Sequence, residues 1–205
     1  MLRVGVLGGT FDPIHVGHVL LAVHMRERLP LDRVLFVPAA LPPHKPPRAD
    51  MSAAADRWEM VRRAIAAVPG LDACRIELDR PGPSYTADSL VELKAAHPRW
   101  ELFLVIGEDN IGQIAAWYRP DLIMANCTVV AGTRAGSGPP AALGDPWSGR
   151  VMRVETPTFE VSSTEVRRRV RLGLPVRYLV PESVEEYIRE RGLYQSGESQ
   201  SAPRP

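Results

Sequence analysis

Residues 2–29 read "LRVGVLGGTFDPIHVGHVLLAVHMRERL". The apolar run 2–8 has the length and composition of a buried strand, and residues 17–29 carry helical spacing. Between them stand two glycines, an Asp-Pro turn and two histidines. A plain connector needs none of the histidines. Gly8 and Gly9 let a backbone approach a ligand closely. A helix beginning near Val16–Gly17 points free N–H groups and the positive end of its dipole at the same place, a cradle that suits phosphate. His15 and His18 at i, i+3 fall on one side of the helix start. Imidazole donates to phosphate oxygens and stabilises charge developing there. The spacing is neither GxGxxG nor GxxxxGK[ST]. An ordinary strand–helix turn would explain the glycines alone. Half of a metal site would explain the histidines, but no cysteine or carboxylate pair of matching spacing occurs elsewhere.

Working outward, "RVLFVP" (33–38) reads as a second strand ended by Pro38, followed by the proline-rich loop "AALPPHKPPRAD". Residues 52–68 read as a helix capped by Ser52, with Trp58, Met60 and Ile65 on one side. "CRIEL" (74–78) reads as a strand, and Thr86 as the cap of a helix running to Ala96. Strands follow at 101–107, 126–132 and 150–155, then two helices from about residues 162 and 182. Residues 133–149 read as a mobile Gly/Pro/Ala-rich loop, and 196–205 as a disordered tail. Strands alternating with helices predict one α/β domain over 1–195. Its expected core is a single doubly wound, mostly parallel, Rossmann-like sheet with helices on both faces and C-terminal helices. Ligands in such sheets sit beyond the carboxyl ends of the strands, at the switch point. The quoted motif leaves the first strand there.

The 205 residues suffice for one real core, and a formal charge of +1 gives no field that would favour nucleic acid or an anionic membrane. Cys74 and Cys127 are lone residues in apolar runs and read as reduced core cysteines. No apolar run has the length of a membrane span, and the chain opens directly on a strand pattern rather than a signal peptide. A cytoplasmic protein is expected. The oligomeric state stays open, a homo-oligomer included.

A second constellation is "VSSTEVRRRV" (161–170). Ser162 to Glu165 is an S-x-x-E capping box opening a helix, whose arginines could be a solvated face. A helix start with three hydroxyls followed by Arg167 is also an anion site. Both readings hold together, because a capped helix keeps spare donors.

"GGTFDPIHVGH" resembles the signature of the HxGH nucleotidyltransferase superfamily, and its longer form resembles the nicotinate mononucleotide adenylyltransferases. "VSSTEVR" resembles the superfamily's triphosphate-binding motif, which implies roles for Ser163, Thr164 and Arg167. "PPHK" (42–45) resembles the family's basic loop and offers His44 and Lys45 to phosphates. "PSYTADSL" (83–90) resembles its substrate loop and places Thr86 near the pyridine end. "IGEDN" (106–110) resembles the adenylate segment: Gly107 permits close approach and Asp109 accepts from ribose hydroxyls. "AWY" (116–118) resembles the aromatic step, with Trp117 on the ring and Tyr118 beside it. "TRAG" (133–136) is a weaker match that would bring Arg134 to a phosphate. The resemblance runs from Gly8 to Tyr194.

It implies transfer of AMP from ATP to nicotinate mononucleotide, giving nicotinate adenine dinucleotide and pyrophosphate. His15 and His18 would act on the α-phosphate, Gly8, Gly9 and Thr10 would form the floor, and Mg²⁺ would be bound mainly by substrate oxygens. The mononucleotide phosphate is already a nucleophile, so positioning and charge stabilisation suffice. Competing readings are the same chemistry on nicotinamide mononucleotide, phosphopantetheine or a cytidylyl acceptor, a nucleotide sensor without turnover, and a metal hydrolase. Trp117 and 83–90 favour a pyridine acceptor.

Overall fold

The computed structural model describes residues 1–43, 50–133, 149–157 and 159–195. The strands are β1 (Leu2–Gly9), β2 (Arg33–Pro38), β3 (Leu71–Ala73), β4 (Trp100–Gly107), β5 (Thr128–Thr133) and β6 (Val151–Glu155). The helices are α1 (Val16–Arg28), α2 (Ala54–Ile65), α3 (Thr86–Ala96), α4 (Pro120–Asn126), α5 (Ser163–Arg171) and α6 (Glu182–Glu190), with a 3₁₀ helix over Glu108–Ala116. One six-stranded sheet has the order β3-β2-β1-β4-β5-β6, every pair parallel.

A parallel sheet must be covered on both faces, and the period of two along its strands shows how. In β4, Phe103 and Val105 join one core while Leu102, Leu104 and Ile106 join the other. The first core takes Met25 of α1, Met60 of α2, Val166 of α5 and Val184 of α6. The second takes Leu90 of α3, Ile114 of the 3₁₀ helix and Ile123 of α4. Each such fully buried side chain contributes about 1.5–3 kcal/mol. Strand order reverses between β1 and β4, so their connections leave in opposite directions and open a crevice at the carboxyl ends.

Some expectations need correction. The strand expected at 74–78 is β3 at Leu71–Ala73, and "CRIEL" forms turns instead. Gly70, at φ 80°, starts that strand early, and its carbonyl accepts from the Val34 N–H. The helix expected at 52–68 is the shorter α2, capped from Ala53; Ser52 instead gives its N–H to Asp12 at 3.2 Å. Thr86 is not a cap but the first helical residue, after Tyr85. The 3₁₀ helix and α4 fill a stretch to which the sequence reading assigns no element. Among the described residues no helix is long and apolar enough to cross a membrane.

Candidate active site

The loop between β1 and α1 is held from below by buried charge. Asp12, Arg57 and Arg167 are all at most 4 % exposed. The Arg57 guanidinium donates to the carbonyls of Thr10 at 2.8 Å, Ala39 at 2.6 Å, Ala40 at 3.3 Å and Ser52 at 3.2 Å. Arg167 donates through Nη1 to the Asp12 carbonyl at 2.6 Å, and the same atom lies 3.8 Å from the Asp12 carboxylate. Tyr194 completes the set, its hydroxyl donating to Asp12 Oδ1 at 2.8 Å. Burial first, then the Asp12 charge, push the Tyr194 phenol up, so it stays a donor.

Above this clamp the backbone turns sharply. Phe11 has φ 50°, rare for a bulky residue, and its buried ring occupies the space over Gly9. A methyl group added at Gly9 would stand 2.9 Å from the Phe11 ring, so this position requires glycine. At Gly8 an added methyl would meet no protein atom within 4 Å, so the fold itself sets no such demand there.

Phe11 also meets His18 edge-on, with ring centroids 5.1 Å apart. His18 and His15 stack with centroids 3.7 Å apart and planes inclined by 22°. The His15 backbone N–H donates to Nδ1 of His18 at 3.2 Å. Nδ1 therefore accepts, and the neutral ring carries its proton on Nε2, where it can be donated to a ligand. Burial pushes His15 down to about 4, so near neutral pH the stack holds at most one positive charge.

A cleft of about 650 Å³ opens at the switch point. His15, Gly17 and His18 form one wall; Gly107, Glu108 and Asp109 leave β4; Gly132 and Thr133 end β5. Phe159 and Val161 close it ahead of α5. Its size suits a nucleotide. Gly107 and Gly132 face each other in register at the strand ends. A methyl at Gly107 would lie 2.5 Å from the Asp109 carboxylate, whose Oδ1 also receives the Asn110 amide at 3.2 Å.

The start of α5 abuts this cleft through Val161. Ser162 caps the helix, its hydroxyl accepting from the Glu165 N–H at 3.1 Å. Ser163 gives its hydroxyl hydrogen to the Pro13 carbonyl at 2.9 Å, tying α5 to the motif loop. The exposed Thr164 hydroxyl accepts from Arg167 at 3.3 Å. Arg167 thus lies beneath the loop, bonded to it, rather than on the cleft wall.

Thr86, Trp117 and Tyr118 belong to a second locus. Tyr85 and Tyr118 stack with centroids 4.1 Å apart, joining the start of α3 to the segment after the 3₁₀ helix. Trp117 is half-buried against the second core, while Tyr118 is 45 % exposed. The Ala39 N–H donates to the Gly9 carbonyl at 2.9 Å and the Ala40 N–H to Ser84 Oγ at 2.8 Å, so this locus adjoins the end of β1. His44, Lys45 and Arg134, with 134–148 and the tail 196–205, lie outside the described residues.

Sequence reasoning assigned no role to Asp12, Arg57 and Tyr194, whose contacts run between distant segments. It also passed over Gly132, Glu108 and Phe159. Gly132 had a signal: like Gly9 and Gly107 it is a glycine at the carboxyl end of an apolar strand.

The sequence profile of the cytidylyltransferase-like family matches residues 6–169. A protein of Halalkalibacterium halodurans named "Probable nicotinate-nucleotide adenylyltransferase" is 42 % identical over 204 residues, covering 99 % of this chain and 96 % of that protein. A Thermus thermophilus protein of the same name is 45 % identical over 193 residues, covering 94 % and 100 %. The solved structure of Plasmodium falciparum nicotinic acid mononucleotide adenylyltransferase complexed with NaAD shares the fold, with a TM-score of 0.74 at 17 % identity over 95 % of this chain and 98 % of that one. The HxGH pair at the switch point and these likenesses agree: the chain belongs to the cytidylyltransferase-like family, in its nicotinate-nucleotide adenylyltransferase branch.

Proposed function

We propose that this protein transfers AMP from ATP to nicotinate mononucleotide, making nicotinate adenine dinucleotide and pyrophosphate in NAD biosynthesis. The observation that carries this reading is the stacked His15–His18 pair at the N-terminus of α1, facing a nucleotide-sized cleft in a chain so similar to named nicotinate-nucleotide adenylyltransferases.

The 5′-phosphate of the mononucleotide attacks the α-phosphorus in line. A new P–O bond forms, the bond to the β-phosphate oxygen breaks, and pyrophosphate leaves with its electron pair. No base is needed. His18 Nε2–H donates to the α-phosphate as charge develops, and His15 beside it lines the same wall. Gly8, Gly9 and Thr10 give the floor, with Thr10 fixed through Arg57. The N–H groups of Ser163 and Thr164 lie in the first turn of α5, where no helical carbonyl can accept them; with the Thr164 hydroxyl they hold the leaving pyrophosphate. Arg167 adds its charge from beneath. Gly107 and Asp109 take the adenylate sugar. Nucleotidyltransferases of this family generally use a divalent metal; in our reading it is Mg²⁺, entering as MgATP on phosphate oxygens and water. Glu108 on the cleft wall would offer the oxygen chemistry that suits its water shell.

The acceptor sits at the second locus, its ring on Trp117. The Thr86 N–H lies in the first turn of α3, where the dipole favours a carboxylate and a neutral amide would leave donors badly paired. His44, Lys45 and Arg134 would reach its phosphate. The chain works without nucleic acid or membrane in this reading.

Pure protein, MgATP and equal nicotinate and nicotinamide mononucleotide, with the dinucleotides resolved, provide the test. kcat/KM is expected to favour the acid by at least roughly 10². A ratio near one would mean dual specificity, and a preference for the amide would replace this reading with the nicotinamide one.

A further inference from the structure

Past Gly9 and Pro38, the last paired residues of β1 and β2, the two chains part. A backbone bond still joins them, from the Ala39 N–H to the Gly9 carbonyl at 2.9 Å. Beyond it Thr10 enters the motif loop, while segment 39–41 turns toward the second locus. Here the fully buried Arg57, in the first turn of α2, takes over from the sheet. Its Nη1 donates to the carbonyls of both Thr10 and Ala39, so the two hydrogens on that atom are used. Nη2 adds the Ala40 carbonyl and Nε that of Ser52. One planar group thus joins two backbones past the point where strand pairing can.

Segment 39–41 is fixed on its other side to Ser84, which is 5 % exposed. Ser84 Oγ accepts the N–H of Ala40 at 2.8 Å and of Leu41 at 3.2 Å, and the Ser84 N–H donates to the Leu41 carbonyl at 2.9 Å. Tyr85, stacked on Tyr118, comes next in the chain, and α3 starts after it. A continuous set of bonds therefore runs from Thr10, through Arg57 and segment 39–41, to the start of α3. Each end keeps an anchor of its own: Asp12 is bonded by Arg167 and Tyr194, and segment 39–41 by Ser84. The four bonds of Arg57 go to none of His15, His18, Thr86 or Trp117.

We infer that Arg57 is a positioning residue that fixes the spacing between the two halves of the site, so that the acceptor phosphate and the α-phosphorus of ATP meet in register. This rests on the adenylyl-transfer reading above. A ligand confined to one half keeps its contacts when the link is cut, whereas a ligand spanning both halves does not. ATP and nicotinate mononucleotide are of the first kind. Nicotinate adenine dinucleotide is of the second, and so is the transition state.

Arg57→Lys keeps the charge but gathers its three hydrogens on one nitrogen, which cannot reach the carbonyls that Nε, Nη1 and Nη2 serve. The calorimetric Kd for nicotinate adenine dinucleotide is expected to rise roughly 10- to 100-fold and kcat to fall by a similar factor, with the KM for each substrate within about threefold of the parent. Ser84→Ala cuts the second joint and should weaken the dinucleotide in the same way; it serves alone if the Arg57 variant fails to fold. Because both joints lie in one series, the double variant should add little to either single one. Substrate KM values that rise as far as the dinucleotide Kd would make the role merely structural and overturn the inference, and so would additive effects of the two substitutions. A parent protein that makes no dinucleotide from nicotinate mononucleotide would overturn the transfer reading and this inference with it; an active parent whose variants bind the dinucleotide unchanged would overturn this inference alone.

Discussion

The two loci beside the end of β1 are built by opposite means. On the side read as the phosphate's, residues 10–13 are gripped by the buried Arg57 and Arg167, and the half-buried Tyr194 is bonded to Asp12. On the acceptor side, Tyr85 and Tyr118 meet as stacked rings, and Tyr118 stays 45 % exposed. Burying ions costs several kcal/mol each and is tolerated only where geometry and hydrogen bonds compensate. Such a device suits a group that must not move. An in-line displacement leaves little room for misplacement, whereas a ring that enters and leaves needs a contact that can open. In the proposed reading, the buried charge lies beneath the reacting phosphate and the ring contact lies near the surface.

The contrast can be broken in three places. His18→Ala removes the donor at the rigid side: turnover should fall by roughly 10²–10⁴ with the fold intact, since the ring faces the cleft. Single-turnover rates that stay within threefold of the parent would remove His18 from the chemistry. Arg167→Ala tests the grip itself. Breaking a buried pair should lower unfolding free energy by about 3–5 kcal/mol, read by denaturant titration, and ATP use should fall with it. Tyr118→Ala, in the same titration, should cost no more than about 0.5–1.5 kcal/mol, the worth of one aromatic pair. If the two cost the same, the contrast is wrong. Trp117→Ala tests the proposed acceptor side: KM for the mononucleotide should rise by the equivalent of about 1–3 kcal/mol of stacking while KM for ATP holds. A variant that fails to fold would make Trp117 a core residue and move it off the ring.

What the sequence made legible follows the range of the interactions. β2 has the expected bounds, 33–38, because a short apolar run stopped by Pro38 is a local signal. His15 and His18 were readable because their spacing and the helix start are local too. "CRIEL" misled, since its alternation mimics a strand while Glu77 points inward and accepts from Ser89 of α3 at 2.7 Å. Residues 108–126 offered small and polar residues with no steady period; their 3₁₀ helix and α4 are set by packing of Ile111, Ile114 and Ile123 on the sheet. Arg57 looked like one more charge on an amphipathic helix. Its four carbonyl partners come from three segments, which only the folded chain brings together. The resemblance put Ser163 and Arg167 on the triphosphate; the side-chain bonds they make here go to the Pro13 and Asp12 carbonyls of the motif loop, partners that only the folded chain brings within reach.

The Asp12 contacts also carry a kinetic meaning. Arg167 lies 155 positions from Asp12, and Tyr194 lies 182. A chain made from its N-terminus exposes the motif first and supplies its partners last. Until α5 and the segment after α6 dock, the Asp12 carboxylate has no buried cation from that end to meet it. Nucleotide binding is thereby tied to completion of the fold: half-made chains lack the Arg167 and Tyr194 bonds that hold the motif loop, and a nucleotide bound to the finished site draws the whole folding equilibrium toward the native state by mass action.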